Sequence, residues 1–149
     1  SDGGIQYHDR RVYRIRCGQC LIAFLVFKNR KEFVMYAIRG ATTVKTDSRE
    51  EIFKATTELL QAILDANGID VSELISLHFT QTKDLVSVYP ATAARLNGYG
   101  SVALFSGVEP DVKGGLPRCI RVIAYAEGKK EKVVSVYLGD AEKLREETV

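Results

Sequence analysis

The stretch VEPDVKGGLPRCIRVIAYA, Val108 to Ala126, carries the fold reading because it joins a loop to a strand and sets a charge inside that strand. Pro110, Gly114, Gly115 and Pro117 interrupt any helix, and the apolar run from Cys119 to Ala126 reads as a strand. Strand side chains alternate between faces, so Arg121 shares a face with Cys119, Ile123 and Tyr125. A guanidinium placed there must reach solvent at the strand end or meet an anion, since an unpaired buried one is costly. Glu109 lies twelve residues earlier, across a Gly-Gly turn. On this stretch alone two readings stand open: Glu109 and Arg121 as a structural pair or plain surface residues, or as parts of an anion-binding site.

On the N-terminal side, Ser101 to Phe105 reads as a strand. Before it, Pro90 suits the first turn of a helix through Ala91, Ala94, Arg95 and Leu96, ended by Asn97-Gly98. Ile75 to Thr80 alternates, with Ile75, Leu77 and Phe79 on one face and His78 on the other as a satisfied or solvated ring. Asp47-Ser48 opens a helix: Ser48 and Glu51 have capping-box spacing, Ile52, Leu59, Leu60, Ile63 and Leu64 form one apolar stripe, and Asn67-Gly68 supplies the stop. Tyr36 to Ile38 reads as a short strand leading into RGATTV (39–44), with Arg39 facing away from Tyr36 and Ile38. On the C-terminal side, Lys129 to Lys132 reads as a solvated hairpin turn and Val133 to Leu138 as the last strand. A short amphipathic tail then ends in Arg145. This order predicts an α/β (α+β) domain with a mixed β-sheet and two main helices. Two helices cover little of a five-stranded sheet, so the other face is expected to pack against another subunit.

Composition narrows the classes. The 149 residues suffice for one domain with one core, and 46% hydrophobic with 27% charged residues is ordinary for a soluble protein. The apolar run Leu21 to Phe27 is too short to span a bilayer, and nothing has the pattern of a secretory signal. Three cysteines argue against a disulfide framework and favour a reducing, cytoplasmic setting. The net charge of +2 divides unevenly: residues 1–34 carry +4 and the remainder −2. The main body is therefore no polyanion binder by bulk charge, and neither nucleic acid nor membrane is expected as a partner.

Residues 1–34 differ from the rest, with Arg10, Arg11, Arg14 and Arg16 followed by Cys17-Gly18-Gln19-Cys20. A C-x-x-C pair can be a redox dithiol or half a zinc site, but no second pair accompanies it and His8 and His78 are isolated. No metal is expected. The single methionine, Met35, precedes the first clear strand, so residues 1–34 are expected to be an extension, non-native if Met35 is the native start. Residues 35–149 are the functional domain on this reading.

Four segments, YAIRGATTV (36–44), VYPATAARLNG (88–98), VEPDVKGGLPRCIRV (108–122) and VYLGDAEKLR (136–145), together resemble the AroH-type (Bacillus-type) chorismate mutases over roughly residues 35–145. The resemblance implies a pseudo-α/β-barrel homotrimer with active sites at subunit interfaces. It also implies conversion of chorismate to prephenate without metal or cofactor. That reaction breaks a C–O ether bond as a C–C bond forms. Chorismate is a dianion, so its site needs fixed cations, and a preorganised donor must meet the charge growing on the ether oxygen. By position, Arg121 corresponds to the arginine that contacts the ether oxygen and a carboxylate, and Arg39 with Tyr137 to the pair on the enolpyruvyl carboxylate. Glu109 corresponds to the acceptor for the ring hydroxyl. Tyr89 and Arg95 correspond to residues from the neighbouring subunit, and Leu144 and Arg145 to a segment that closes over the site. Two positions depart from the Bacillus pattern: Ser106 replaces a cysteine as donor near the hydroxyl, and Thr92 replaces a lysine at the pocket mouth. Cys119, matched by a cysteine in the family, reads as core-facing.

Three alternatives remain on the sequence. The chain is a RidA-type imine hydrolase on a similar trimer, or a non-catalytic metabolite-binding trimer, or its basic N-terminal segment binds nucleic acid.

Overall fold

The computed structural model describes residues 11–17, 20–26 and 34–145. The chain divides into two compact units, residues 1–33 and 34–149. In the first, β1 (Arg11–Cys17) and β2 (Cys20–Val26) pair antiparallel, with Cys17 opposite Cys20 in the register. The cysteine side chains, and the metal or redox reading attached to them, lie outside what is described.

The second unit is built on β3 (Met35–Thr43), α1 (Arg49–Asn67), β4 (Leu74–Gln81), α2 (Pro90–Ala94), β5 (Ala103–Val108), β6 (Cys119–Glu127) and β7 (Val136–Tyr137). The sheet order is β5-β4-β6-β3-β7. β6 is antiparallel to both neighbours, whereas β4–β5 and β3–β7 are parallel, so the sheet is mixed. The predicted α+β class with two main helices matches this arrangement. Among the described residues, no helix is long and apolar enough to cross a membrane.

The helix α1 forms where its pattern predicts. Ser48 Oγ accepts from the Glu51 amide at 3.2 Å, and Gly68 closes the helix in the left-handed region at φ 55°. The capping box is only half made, because the Ser48 amide donates to the Thr46 carbonyl instead. Ile52, Leu59, Leu60 and Ile63 are buried against Ile38, Leu77, Phe79, Ile120, Val122 and Ala124 of the sheet. Burying each such side chain stabilises by roughly 1.5–3 kcal/mol. Gly40 permits this approach: a Cβ there would lie 2.6 Å from Ile63 Cδ1 and 3.1 Å from Val122 Cγ1.

Helix α1 occupies one face of the sheet. The other face carries Ala37, Arg39, His78, Phe105, Arg121, Ile123 and Tyr125, with Phe105 60% and Ile123 39% exposed. His78 is exposed, its ring 5.8 Å from Phe105 and 5.5 Å from Tyr125, which fits the satisfied or solvated ring expected of it.

Several boundaries differ from the sequence expectation. β3 runs unbroken through Thr43 rather than ending near Ile38, because β6 supplies partners along its whole length. β5 spans Ala103–Val108 rather than 101–105. The hairpin expected at Lys129–Lys132 is not formed. Both edges of β6 are taken by β3 and β4, so β7 pairs beside β3 in parallel. β7 is also shorter than Val133–Leu138, since Val134 gives its backbone to a side chain. Its amide donates to Asn67 Oδ1 and its carbonyl accepts from Asn67 Nδ2, both at 2.9 Å.

Gly40→Ala is expected to lower stability by about 1–3 kcal/mol, the usual range for overpacking a tight contact. A chemical-denaturation midpoint indistinguishable from the parent chain would contradict the close α1–β3 approach.

Candidate active site

Strand alternation sets Arg121 in a row with Thr80, and Glu109 meets both from the end of β5. Thr80 on β4, Arg121 on β6, Ala41 on β3 and Tyr137 on β7 lie in one row across the sheet, on the face α1 leaves open. Glu109 follows the end of β5, its amide donating to the Gln81 carbonyl at 2.9 Å. Its carboxylate takes two donors: Thr80 Oγ1 at 2.6 Å on Oε1, and Arg121 Nη1 on Oε2. The pair is sheltered, with the side chains of Glu109 and Arg121 12% and 37% exposed. Burial works against the charged guanidinium, but the Glu109 hydrogen bond and the neighbouring Cys119, Glu109 and Tyr137 together outweigh it, and the Arg121 pKa lies above its ordinary value. Arg121 thus stays a cation, with N–H donors beyond the one given to Glu109.

Glu109, Arg121 and Leu144 line a cleft of about 640 Å³, together with Lys83, Lys143 and the 110–117 loop. A second concavity of about 350 Å³ is lined by Arg39, Tyr137, Arg145 and Lys132. Tyr137 also lies near enough to Arg121 to act on its charge. The first cavity therefore offers a guanidinium held by a carboxylate, and the second offers three cations and a phenol. Guanidinium groups set in such concavities suit carboxylates.

Not every predicted residue joins this cluster within one chain. Tyr89 is 66% exposed beside α2, and Arg95 and Leu96 at its end are also exposed. These residues and Thr92 line neither cavity. Ser106 pairs with Phe79, so its side chain takes the α1 face rather than the face of Arg121, and its Oγ is buried without a hydrogen-bond partner in this chain. Cys119 lies on the Arg121 side but is fully buried, in a small cluster with Ala41 and Ala141. Burial pushes its thiol up to about 11, so it stays protonated and inert at neutral pH. Among the described residues no cluster of three or more His, Cys, Asp or Glu could hold a metal ion.

Other residues of the site's frame went unnoticed in the sequence. Asp84 accepts the Arg118 amide at 2.9 Å and the Thr82 hydroxyl, while Thr82 Oγ1 accepts the Cys119 amide at 3.0 Å. Arg118 is the one non-glycine residue with positive φ, 47°, among the described residues. This network fixes where the loop ends and β6 begins, two residues before Arg121. Thr80 was legible in principle, since it shares the alternation of His78; nothing in the sequence marks Arg118 as left-handed.

A family profile described as chorismate mutase type I matches residues 35–148. The chain belongs to this family. It is similar to chorismate mutase AroH of Thermus thermophilus, 48% identical over 111 residues covering 72% of this chain and 91% of the relative. It is also similar to chorismate mutase AroH of Bacillus subtilis, 38% identical over 111 residues covering 72% and 87%. A solved chorismate mutase from Clostridium thermocellum superposes with a TM-score of 0.70 at 43% identity, covering 72% of this chain and 98% of that one. Within this chorismate mutase match lie Arg39, Glu109, Arg121, Tyr137 and the Asp84–Arg118 anchor.

The Asp84 carboxylate is held below its ordinary value of 3.8: burial opposes the charge, and bonds from the Thr82 hydroxyl, the Arg118 amide and its own amide, with the Arg118 charge, together outweigh it. A depressed folded pKa contributes stability that is present above 3.8 and lost as pH falls through the lower folded value. Asp84→Asn is therefore expected to be less stable than the parent chain at neutral pH, with the gap narrowing in acid. Denaturant midpoints measured across that range would refute the anchor if the gap stayed constant.

Proposed function

We infer that this chain is a chorismate mutase, rearranging chorismate to prephenate on the route to phenylalanine and tyrosine. The observation that carries the reading is the placement of Arg121, held by Glu109 on the open sheet face, beside the Arg39–Tyr137–Arg145 concavity. The family match supplies the substrate class. Arg39 and Tyr137 hold the enolpyruvyl carboxylate, Glu109 accepts from the ring hydroxyl, and Arg121 reaches a carboxylate and the ether oxygen. Leu144 and Arg145 close the C-terminal side.

The rearrangement requires no acid, base or covalent intermediate, only a reactive conformer held over the ring and a donor at the oxygen that gains charge. Arg121 serves the second need. Its fixed guanidinium interacts more strongly with the developing negative charge than with the neutral ether, and that difference lowers the barrier.

The working unit in this proposal is a homotrimer forming a pseudo-α/β barrel. Supporting it are the apolar side chains left on the open sheet face and around α2, where Tyr89, Val86 and Leu96 are exposed. In such a trimer Tyr89, Thr92 and Arg95 reach a neighbour's cleft, whereas Ser106, turned to the α1 face, takes no part in it. Thr92 leaves the mouth one cation poorer than a lysine would, which weakens capture without touching the ether-oxygen donor. Residues 35–149 are the catalytic domain and residues 1–34 an extension, and the enzyme works in the cytoplasm.

Direct measurement of prephenate formation tests the activity: binding of chorismate without turnover would favour a non-catalytic trimer, and hydrolysis of an imino acid alone the RidA-type reading. Arg121→Ala is expected to lower kcat by about 10²–10³, the loss typical of one preorganised donor. Arg121→Lys should recover little, because a point charge cannot serve two acceptors as a fork does. Light scattering at working concentration should report three subunits, and an active monomer would sink the interface site.

A further inference from the structure

We infer that Thr80 is a positioning residue for this reaction, acting through the Glu109 carboxylate; the inference rests on the mutase reading above. Glu109 emerges from the end of β5 on a loop rich in glycine and proline, so its backbone alone does not fix its carboxylate. Two side chains do. Arg121 Nη1 holds Oε2, and Thr80 Oγ1 donates to Oε1 at 2.6 Å, a length typical of a hydroxyl on an ionised carboxylate.

The sheet register makes this clamp stiff. Thr80 is directly opposite Arg121 in the β4–β6 pairing and opposite Gly107 in the β4–β5 pairing. Both donors thus stand on adjacent strands of one ladder, and Glu109 reaches back to them from two residues past Gly107. Held at both oxygens, the carboxylate cannot rotate, and its remaining lone pairs keep one direction toward the cleft. An ionised carboxylate has about four acceptor sites, so two protein donors leave room for the hydroxyl of a substrate.

The second consequence concerns Arg121. With Oε1 occupied by the threonine, Glu109 receives the guanidinium through Oε2, and Arg121 retains N–H donors for the cleft. Without the hydroxyl, the carboxylate is free to turn and take a two-point grip on the guanidinium, drawing donors away from the substrate. Threonine suits the position because its branched Cβ favours the strand while its hydroxyl supplies the donor.

Thr80→Val keeps the shape and removes the donor. It is expected to lower kcat about tenfold, the scale of a lost hydrogen bond to a charged group, with a smaller change in KM. Thr80→Ser should restore most of the loss. In a Glu109→Ala background, Thr80→Val should cost less than twofold more, because the group it acts through is gone. Should Thr80→Val fail to fold, Thr80→Ala takes its place in the same cycle. A kcat for the valine or alanine variant within twofold of the parent overturns the role, as does an undiminished penalty in the Glu109→Ala background. A parent chain that forms no prephenate overturns the mutase reading and this role with it; an active parent indifferent to Thr80 overturns this role alone.

Discussion

The guanidinium of Arg121 sits in the middle strand of the sheet, and the rest of the structure is arranged so that a charge can remain there. A cation buried between a sheet and a helix would have to be neutralised completely. Here only one face is covered. The residues of β6 that point toward α1 are Ile120, Val122, Ala124 and Ala126, all buried, while Arg121 points to the open side and keeps 37% of its side-chain surface. The period of two along the strand separates a hydrophobic core from a charged site within nine residues.

An open face leaves the carboxylate partner to be positioned by other means. β5 ends one residue before Glu109, and the loop from Pro110 to Pro117 has no regular structure. Its far end is fixed instead by backbone-directed side chains. Asp84 takes the Arg118 amide, Thr82 pairs with both the amide and the carbonyl of Cys119, and Val44 and Arg118 bond to each other across the strand ends. Holding a non-glycine residue at φ 47° is unfavourable on its own. The surrounding bonds offset that cost, and β6 enters the sheet in the register that sets Arg121 opposite Thr80.

Periodicity carried much of this into the sequence. The stripe from Ile52 to Leu64, the alternation from Ile75 to Phe79 and the run after Cys119 each announce their element because burial imposes a period. Arg39 and Arg121 were legible for the complementary reason, since a charge inside an apolar strand breaks the pattern. What escaped was set by tertiary partners. Asn67 reads as a helix stop, yet its amide also occupies the backbone of Val134 and so shortens β7. The pairing of β7 with β3 rather than β6 depends on which sheet edges are vacant, which no local pattern encodes. Ser106 could be matched to a family position, but the β4–β5 register, which no local pattern encodes, turns its side chain to the α1 face.

The brevity of β7 divides the site mechanically. Thr80 and Arg121 belong to strands paired on both sides. Tyr137 is carried by a strand of two residues, joined to Gly40 and Ala41 at one edge and clasped to the end of α1 through Asn67. Local opening is least costly where few backbone bonds must break together. The β7 edge that carries Tyr137 can therefore open locally while the β4–β6 pairing of Thr80 with Arg121 stays closed.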